Sequence, residues 1–237
     1  DIDWDGQSEC ILASDRIFMT FELDGGYLAF AFAQNNFGTH QVIGPSTQFG
    51  FIRSDPSILV VERGSLCDPG QIFGAFDDPL SDWQSYQGKA GSNELTLLSL
   101  NGNNVKSFSI HGNEIYVIID RSQPSVTDMT KIPIILDPWL KNESNWANLY
   151  AEDDCQTQWR WRAGTNISIG ISSSVVFNHY SFNDMYFMLN NSEDPNFDYK
   201  PGHLLPLTMA LIELPVQASI KVKLTIDPEC GLNYTTR

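Results

Sequence analysis

The chain is poor in basic residues: its 237 residues hold 14 Lys and Arg against 29 Asp and Glu, for a formal charge of −15. That balance argues against binding nucleic acid or an anionic membrane surface, because both need a positive surface field. Long apolar runs are missing too. The most apolar stretch, Leu204 to Val216, is broken by Pro206, Glu213 and Pro215, whereas a membrane helix needs about 20 apolar residues, so no membrane insertion is expected. Asp1 to Gly6 carry neither the basic start nor the apolar run of a signal peptide, so a secreted form is expected to have lost its signal already. The four histidines, His40, His111, His179 and His203, form no pair at metal-binding spacing. No Gly-x-Ser-x-Gly elbow, phosphate-cradling glycine loop or Cys-x-x-Cys pair occurs, which speaks against serine hydrolase, nucleotide, zinc-ribbon and thioredoxin-like chemistry.

What the chain does have is a repeat of two, the signature of strands with one buried face. Ile17, Met19, Phe21 and Leu23 alternate with Thr20 and Glu22. Asp24-Gly25-Gly26 then supplies the positive backbone angles of a tight turn, and Tyr27 to Phe32 returns as an apolar strand. Glu94 to Leu100, Val105 to Ile110 and Glu114 to Asp120 read as three strands joined by Asn101-Gly102-Asn103-Asn104 and His111-Gly112-Asn113, an antiparallel meander. Further strands are expected at Lys131 to Leu136, Gln158 to Arg162, Thr165 to Phe177, Met185 to Leu189, Leu207 to Leu214 and Ser219 to Ile226. Helical spacing is confined to Asp82 to Gln87 and Ser144 to Tyr150. A sheet with one apolar face must bury it. The expected fold is therefore all-β: an antiparallel two-sheet β-sandwich with long loops and at most one or two short helices, a closed barrel being the variant. No linker or repeat divides the chain, so residues 1–237 are expected to form one domain. The irregular acidic run from Gly70 to Gly91 is the one place for a boundary or a long surface loop.

Cys10, Cys67, Cys155 and Cys230 are scattered and even in number, which suits two disulfides in an oxidising compartment. Three connectivities are open, and Cys10–Cys67 with Cys155–Cys230 would staple each half separately. Asn142, Asn166, Asn190 and Asn233 each open a glycosylation acceptor triplet. Asn166 alternates with Ile167, Ile169 and Ile171 and should face solvent. Secretion is the expectation.

Three constellations bear on chemistry. Asp1, Asp3 and Asp5 precede Gly6 as a calcium loop begins, but position twelve is Leu12 and flanking helices are missing. Either this is a frayed acidic terminus or it holds calcium; no other cofactor is expected. Paired carboxylates for glycoside chemistry have many candidates: Asp77, Asp78, Asp82, Asp137, Glu152, Asp153, Asp154, Glu193, Asp194, Asp198 and Glu213. Most should be solvated loop residues; Glu213, among Leu211, Ile212 and Leu214, would be desolvated if it points inward. The third is aromatic. Trp83 and Tyr86 lie in the acidic run, Trp139 and Trp146 follow Asp137-Pro138, and Trp159 and Trp161 alternate with arginines. Each is either core or a flat face for a sugar ring, with Asp137 and neighbouring polar groups bonding hydroxyls.

The pattern Asp15-Arg16-Ile17 leading to Asp24-Gly25-Gly26-Tyr27-Leu28, with the meander from Ser107 to Ile119, resembles the opening of galactose-mutarotase-like β-sandwich domains of carbohydrate-active proteins. The likeness concerns strand order over about two thirds of the chain. Asn178-His179-Tyr180-Ser181-Phe182-Asn183 is similar to the Asn-His-x-Tyr-Phe-Asn element of the family's aldose epimerases, with Tyr and Ser exchanged. The resemblance implies that His179 would help protonate a sugar ring oxygen. The second histidine and the glutamate base such epimerases need have no placed counterpart, so the resemblance implies a sugar-related module that need not be catalytic.

The expected function is an extracellular, glycosylated carbohydrate-binding module without catalysis, using Trp83, Tyr86, Trp139, Trp146 and Asp137. Two other classes stay open: a self-assembling subunit of a surface layer, filament or capsid, and a sugar-active enzyme using His179 or Glu213.

Overall fold

The computed structural model describes residues 8–35, 38–43, 58–62, 74–124, 128–136, 158–163, 167–189 and 206–227. In chain order the strands are β1 (Cys10–Ala13), β2 (Ile17–Glu22), β3 (Tyr27–Asn35), β4 (Gly38–Ile43), β5 (Ile58–Glu62), β6 (Tyr86–Ala90), β7 (Glu94–Ser99) and β8 (Asn104–His111). They continue with β9 (Glu114–Arg121), β10 (Met129–Leu136), β11 (Gln158–Ala163), β12 (Ile167–Ser173), β13 (Asn178–Leu189), β14 (Pro206–Pro215) and β15 (Ser219–Asp227). One sheet runs β1-β2-β3-β4-β10-β14-β13-β5 and the other β11-β12-β15-β9-β8-β7-β6. Neither closes into a barrel, and the expected antiparallel β-sandwich is what forms.

Alternation builds the shared core. In the second sheet Leu95 and Leu97 of β7, Phe108 and Ile110 of β8, Ile115, Val117 and Ile119 of β9, and Ile220, Val222, Leu224 and Ile226 of β15 are all buried. Register aligns them in rows, with Phe108 opposite Val117 and Val117 opposite Val222, so one face of the pleated sheet is continuously apolar. Ile17, Met19, Phe21, Leu28, Ile132, Ile134, Ile212 and Leu214 of the first sheet join the same core cluster.

Several expectations are corrected. Helical spacing at Asp82 to Gln87 does not yield an α-helix: a single 3-10 turn covers Leu80–Asp82, Trp83 is extended, and β6 begins at Tyr86. Pairing of Tyr86 with Ser99 of β7 and burial of the Tyr86 ring outweigh local spacing. The strand expected over Thr165 to Phe177 stops at Ser173, while the strand expected at Met185 to Leu189 begins at Asn178 and bulges between Phe182 and Met185. The outer face of β2 is covered only at its far end, where Thr20 and Glu22 are buried while Phe18 is exposed; the Glu22 carboxylate accepts hydrogen bonds from the Leu23 and Asp24 amides at 2.7 and 3.1 Å. Cys10 is half-buried and forms no disulfide among the described residues. Its thiol abuts Gly88 of β6, and burial pushes its pKa up, aided by Glu9. Cys67, Cys155 and Cys230, the four acceptor asparagines, and the helix expected at Ser144 to Tyr150 lie outside the described residues.

Candidate functional site

The acidic run expected to be a surface loop instead dives into the sandwich. Ala75 bridges to Leu28 through amide–carbonyl hydrogen bonds of 2.8 and 2.9 Å, and the Phe76 amide donates to the Lys131 carbonyl at 2.8 Å. Gly74, Ala75, Phe76, Asp77 and Asp78 are consequently buried. Phe76 is held at φ 65°, a conformation that costs a bulky residue roughly 1–3 kcal/mol and persists only where its surroundings fix it. Beyond the 3-10 turn, Trp83 and Tyr86 press on the β2–β3 turn. A side-chain carbon at Gly25 would lie 2.2 Å from the Trp83 indole, and one at Gly26 would lie 2.4 Å from the Tyr86 ring. The two glycines, at φ 83° and 56°, thus meet both a backbone and a contact requirement that no other residue meets.

Beneath this turn lies a cluster of buried charge. Lys106 Nζ donates to the carbonyls of Gly25, Gly26 and Phe76 at 2.9, 2.8 and 2.8 Å and pairs with Asp78 Oδ1 at 2.8 Å. The Tyr86 hydroxyl donates to Asp78 Oδ2 at 2.8 Å. Arg121 Nη2 stands 4.0 Å from Asp78 Oδ1, and its three guanidinium nitrogens have no hydrogen-bond partner among the described residues. Asp77 Oδ1 accepts the Lys131 amide at 3.3 Å, and the Asp77 carbonyl accepts the Thr130 hydroxyl at 2.9 Å.

Burial penalises the charged form of each group. It holds the Asp77 carboxyl up at about 7, against the lowering pull of Lys131 and Lys106, and brings Lys106 down to about 8 against the pull of Asp78. Between roughly pH 4 and 7 the folded chain therefore keeps a proton on Asp77 that the unfolded chain has released, so this group's contribution to stability falls as pH rises through that window. Lys106 acts oppositely from about 8 to 10.5, where the unfolded chain holds the extra proton and stability rises with pH. Asp77→Asn, which keeps the acceptor for the Lys131 amide, is expected to flatten the acid-side dependence. Urea unfolding should find the variant gaining stability on wild type as the pH is raised from about 5 to about 7, by roughly 1.4 kcal/mol for each tenfold fall in proton concentration. Equal slopes for the two proteins would show that Asp77 titrates normally.

Above the cluster, Trp83 is half-exposed, 6.0 Å from the Tyr27 ring and packed on the Tyr27, Ala29 and Phe30 cluster, and its chain neighbours belong to a hydrogen-bonded polar set. Asp82 accepts from Gln84 Nε2 at 2.7 Å and from Asn104 Nδ2 at 3.5 Å. Asn101 Nδ2 donates to Gln84 Oε1 at 2.6 Å, and Ser99 Oγ donates to Asn101 Oδ1 at 2.8 Å. Ser85 Oγ donates to Asp24 at 3.2 Å. Asp82 and Gln84, on either side of Trp83 in the chain, thus bond each other, and β7, β8 and the turn between them bring Ser99, Asn101 and Asn104 to the same polar set.

Of the candidate residues, Trp83 stands at this rim. Tyr86 is 4% exposed, with Gly26 against its ring and Lys106 Nζ 4.8 Å from its centroid, so it is a core residue and not an open stacking face. Asp77 and Asp78, expected as solvated loop carboxylates, are buried. Glu213 alternates with buried Ile212 and Leu214 and is half-exposed, between Lys131 of β10 and Asn178 of β13 in register; it does not point into the core. His179 lies opposite Ile212, one register step away. Trp139, Trp146, Asp137, Asp1, Asp3 and Asp5 lie outside the described residues. Lys106 and Arg121 belong to no motif, yet each occupies the apolar phase of its strand, in step with Phe108 and Ile110 or with Val117 and Ile119.

No family model matches the chain, and no curated protein matches its sequence. Among solved structures it is similar to the active YidC insertase with its first transmembrane domain resolved (13% identity, TM-score 0.41, covering 96% of this chain and 41% of that one). It is also similar to 4-alpha-glucanotransferase from Thermococcus litoralis (9% identity, TM-score 0.45, 96% and 38%). A galactose mutarotase-like protein from Lactobacillus casei is likewise similar (7% identity, TM-score 0.45, 93% and 99%). The chain spans about two fifths of the first two proteins' length, 41% and 38%. At such identities and scores the likeness concerns strand layout and nothing of substrate or partner. Among the described residues no helix is long and apolar enough to cross a membrane.

Proposed function

We propose that the chain binds carbohydrate at the Trp83 rim and performs no chemistry of its own there. The observation that supports this reading is a half-exposed indole whose chain neighbours Asp82 and Gln84 open a hydrogen-bonded set of carboxylate, amide and hydroxyl groups running to Asn101 and Ser99. An aromatic face covers the apolar side of a sugar ring, and directional donors and acceptors beside it select hydroxyl positions. The same reading places the chain outside the cell, where its four acceptor triplets would be used.

Affinity electrophoresis across a panel of immobilised neutral glycans tests it. Retention on at least one glycan is expected, weakened roughly tenfold or more by Trp83→Ala, as for loss of a buried aromatic anchor. Retention by no glycan, or retention unchanged in Trp83→Ala, would remove the proposal. Because Trp83 also packs on Gly25, circular dichroism of the variant and a parallel Gln84→Ala variant separate lost binding from lost structure.

A further inference from the structure

We propose that the buried cluster of Asp77, Asp78, Lys106 and Arg121 is a proton-responsive latch that sets the position of the Gly25–Gly26 turn and, through it, of the Trp83 platform. The consequence for ligand binding rests on the carbohydrate reading; the movement of Trp83 does not.

The geometry carries two hydrogen-bonding arrangements. An ammonium has three protons, yet Lys106 Nζ has four oxygens at 2.8 to 2.9 Å: the Gly25, Gly26 and Phe76 carbonyls and Asp78 Oδ1. One contact is always short of a proton. Arg121, whose side chain is 1% exposed, has among the described residues three nitrogens without a hydrogen-bond partner and Asp78 as a near carboxylate at 4.0 Å. Such a guanidinium is costly where it stands and gains by closing on an acceptor. With Asp77 ionised, its charge faces Lys131 and Lys106 and adds to that of Asp78 in holding the two buried cations. A proton on Asp77 leaves Asp78 alone between Lys106 and Arg121. Lys106 has three carbonyls to fall back on, and Arg121 has no hydrogen-bonded acceptor among the described residues. Asp78 then passes to Arg121, and the ammonium settles its three protons on the two turn carbonyls and on Phe76.

The turn feels this exchange directly. The Gly25 carbonyl that Lys106 holds also accepts the Asp78 amide at 3.2 Å, and the Gly25 amide donates to the Gln84 carbonyl at 2.7 Å. The Trp83 indole rests on Gly25. Other charged or titratable groups facing the cluster are Lys131 from β10, Tyr86 from β6 and Asp82 from the 3-10 turn; Glu22 of β2 is committed to the Leu23 and Asp24 amides. Burial places Asp77 at about 7 and Lys106 at about 8, so the exchange falls near neutral pH.

The test is tryptophan fluorescence of the full chain without ligand, titrated between about pH 5.5 and 9, with Trp83→Phe recorded in parallel. The chain has six tryptophans, so subtracting the variant isolates Trp83. A single transition with a midpoint near pH 7 is expected in the difference signal, lost in Asp77→Asn and moved by about half a pH unit or more in Arg121→Lys. The proposal is overturned by a flat difference signal in folded protein, or by a transition that both variants leave unchanged. If Asp77→Asn does not fold, Arg121→Lys decides alone. Glycan retention across the same range separates the two readings. A Trp83 transition in a protein that binds no glycan keeps the latch and removes the carbohydrate function, whereas glycan binding with no Trp83 transition does the reverse.

Discussion

Lys106→Met lowers the stability of the protein by about 3–5 kcal/mol, the range for breaking a buried ion pair by removing one partner. Methionine fills a similar volume but leaves Asp78 buried with the Tyr86 hydroxyl at 2.8 Å and Arg121 at 4.0 Å, and it deprives the Gly25, Gly26 and Phe76 carbonyls of a common donor. The Gly25 carbonyl keeps the Asp78 amide at 3.2 Å, but each acceptor left without a donor costs about 1–3 kcal/mol unless water reaches it, and Lys106 is 0% exposed. Guanidinium unfolding followed by circular dichroism reads the change. Adding Asp78→Asn should recover part of the loss, because the uncompensated charge is then gone; a coupling of roughly 1–3 kcal/mol is expected for groups in direct contact. A cost under about 1 kcal/mol for Lys106→Met would mean that the cluster is solvated and that the turn is held by other contacts.

The strand framework was legible because period two is a strong signal wherever one face is buried. The β2–β3 hairpin and the β7–β8–β9 meander were read within a few residues of where they form. The edge strands β1 and β6 were not legible, whereas the edge strand β11 was. β1 has four residues and β6 exposes everything after Tyr86, so neither shows an apolar rhythm, and their place is set by pairing with β2 and β7. The Asp82 to Gln87 segment misled because helical spacing over six residues is weak beside the burial of one tyrosine.

The charged cluster shows the same limit from the opposite side. Asp77 and Asp78 were two of many carboxylates, and nothing local distinguishes them from solvated ones. Their burial follows from Lys106 and Arg121, which come from β8 and β9 and meet Asp78 only through the sandwich. A cation in the apolar phase of a strand is the one sequence signal available, and it needs a buried anion somewhere in the fold. The platform was legible as a tryptophan among polar residues; its neighbours Ser99, Asn101 and Asn104 were visible only as turn residues of the meander.

Phe108→Ala is expected to cost about 3–5 kcal/mol, the range for emptying a buried aromatic position, and to loosen the charged cluster as well. Phe108 of β8 is 1% exposed. Its ring lies 4.5 Å from Phe21 of β2, across the two sheets, and 6.0 Å from Phe76 of the crossing segment. Removing it takes away the apolar group that joins both sheets to a residue held at φ 65°. Phe76 would then be free to relax toward ordinary backbone angles, withdrawing its carbonyl from Lys106. Two readouts follow. Denaturant unfolding gives the core cost, which Phe108→Leu should reduce to about 1–2 kcal/mol because most of the volume remains. The pH dependence of stability gives the second: with the cluster opened to water, the Asp77 carboxyl returns toward its ordinary range, and the acid-side slope shrinks as it does in Asp77→Asn. A Phe108→Ala variant with the full core cost but an unchanged slope would show that the cluster is held by its own hydrogen bonds, independently of the aromatic contact beneath it.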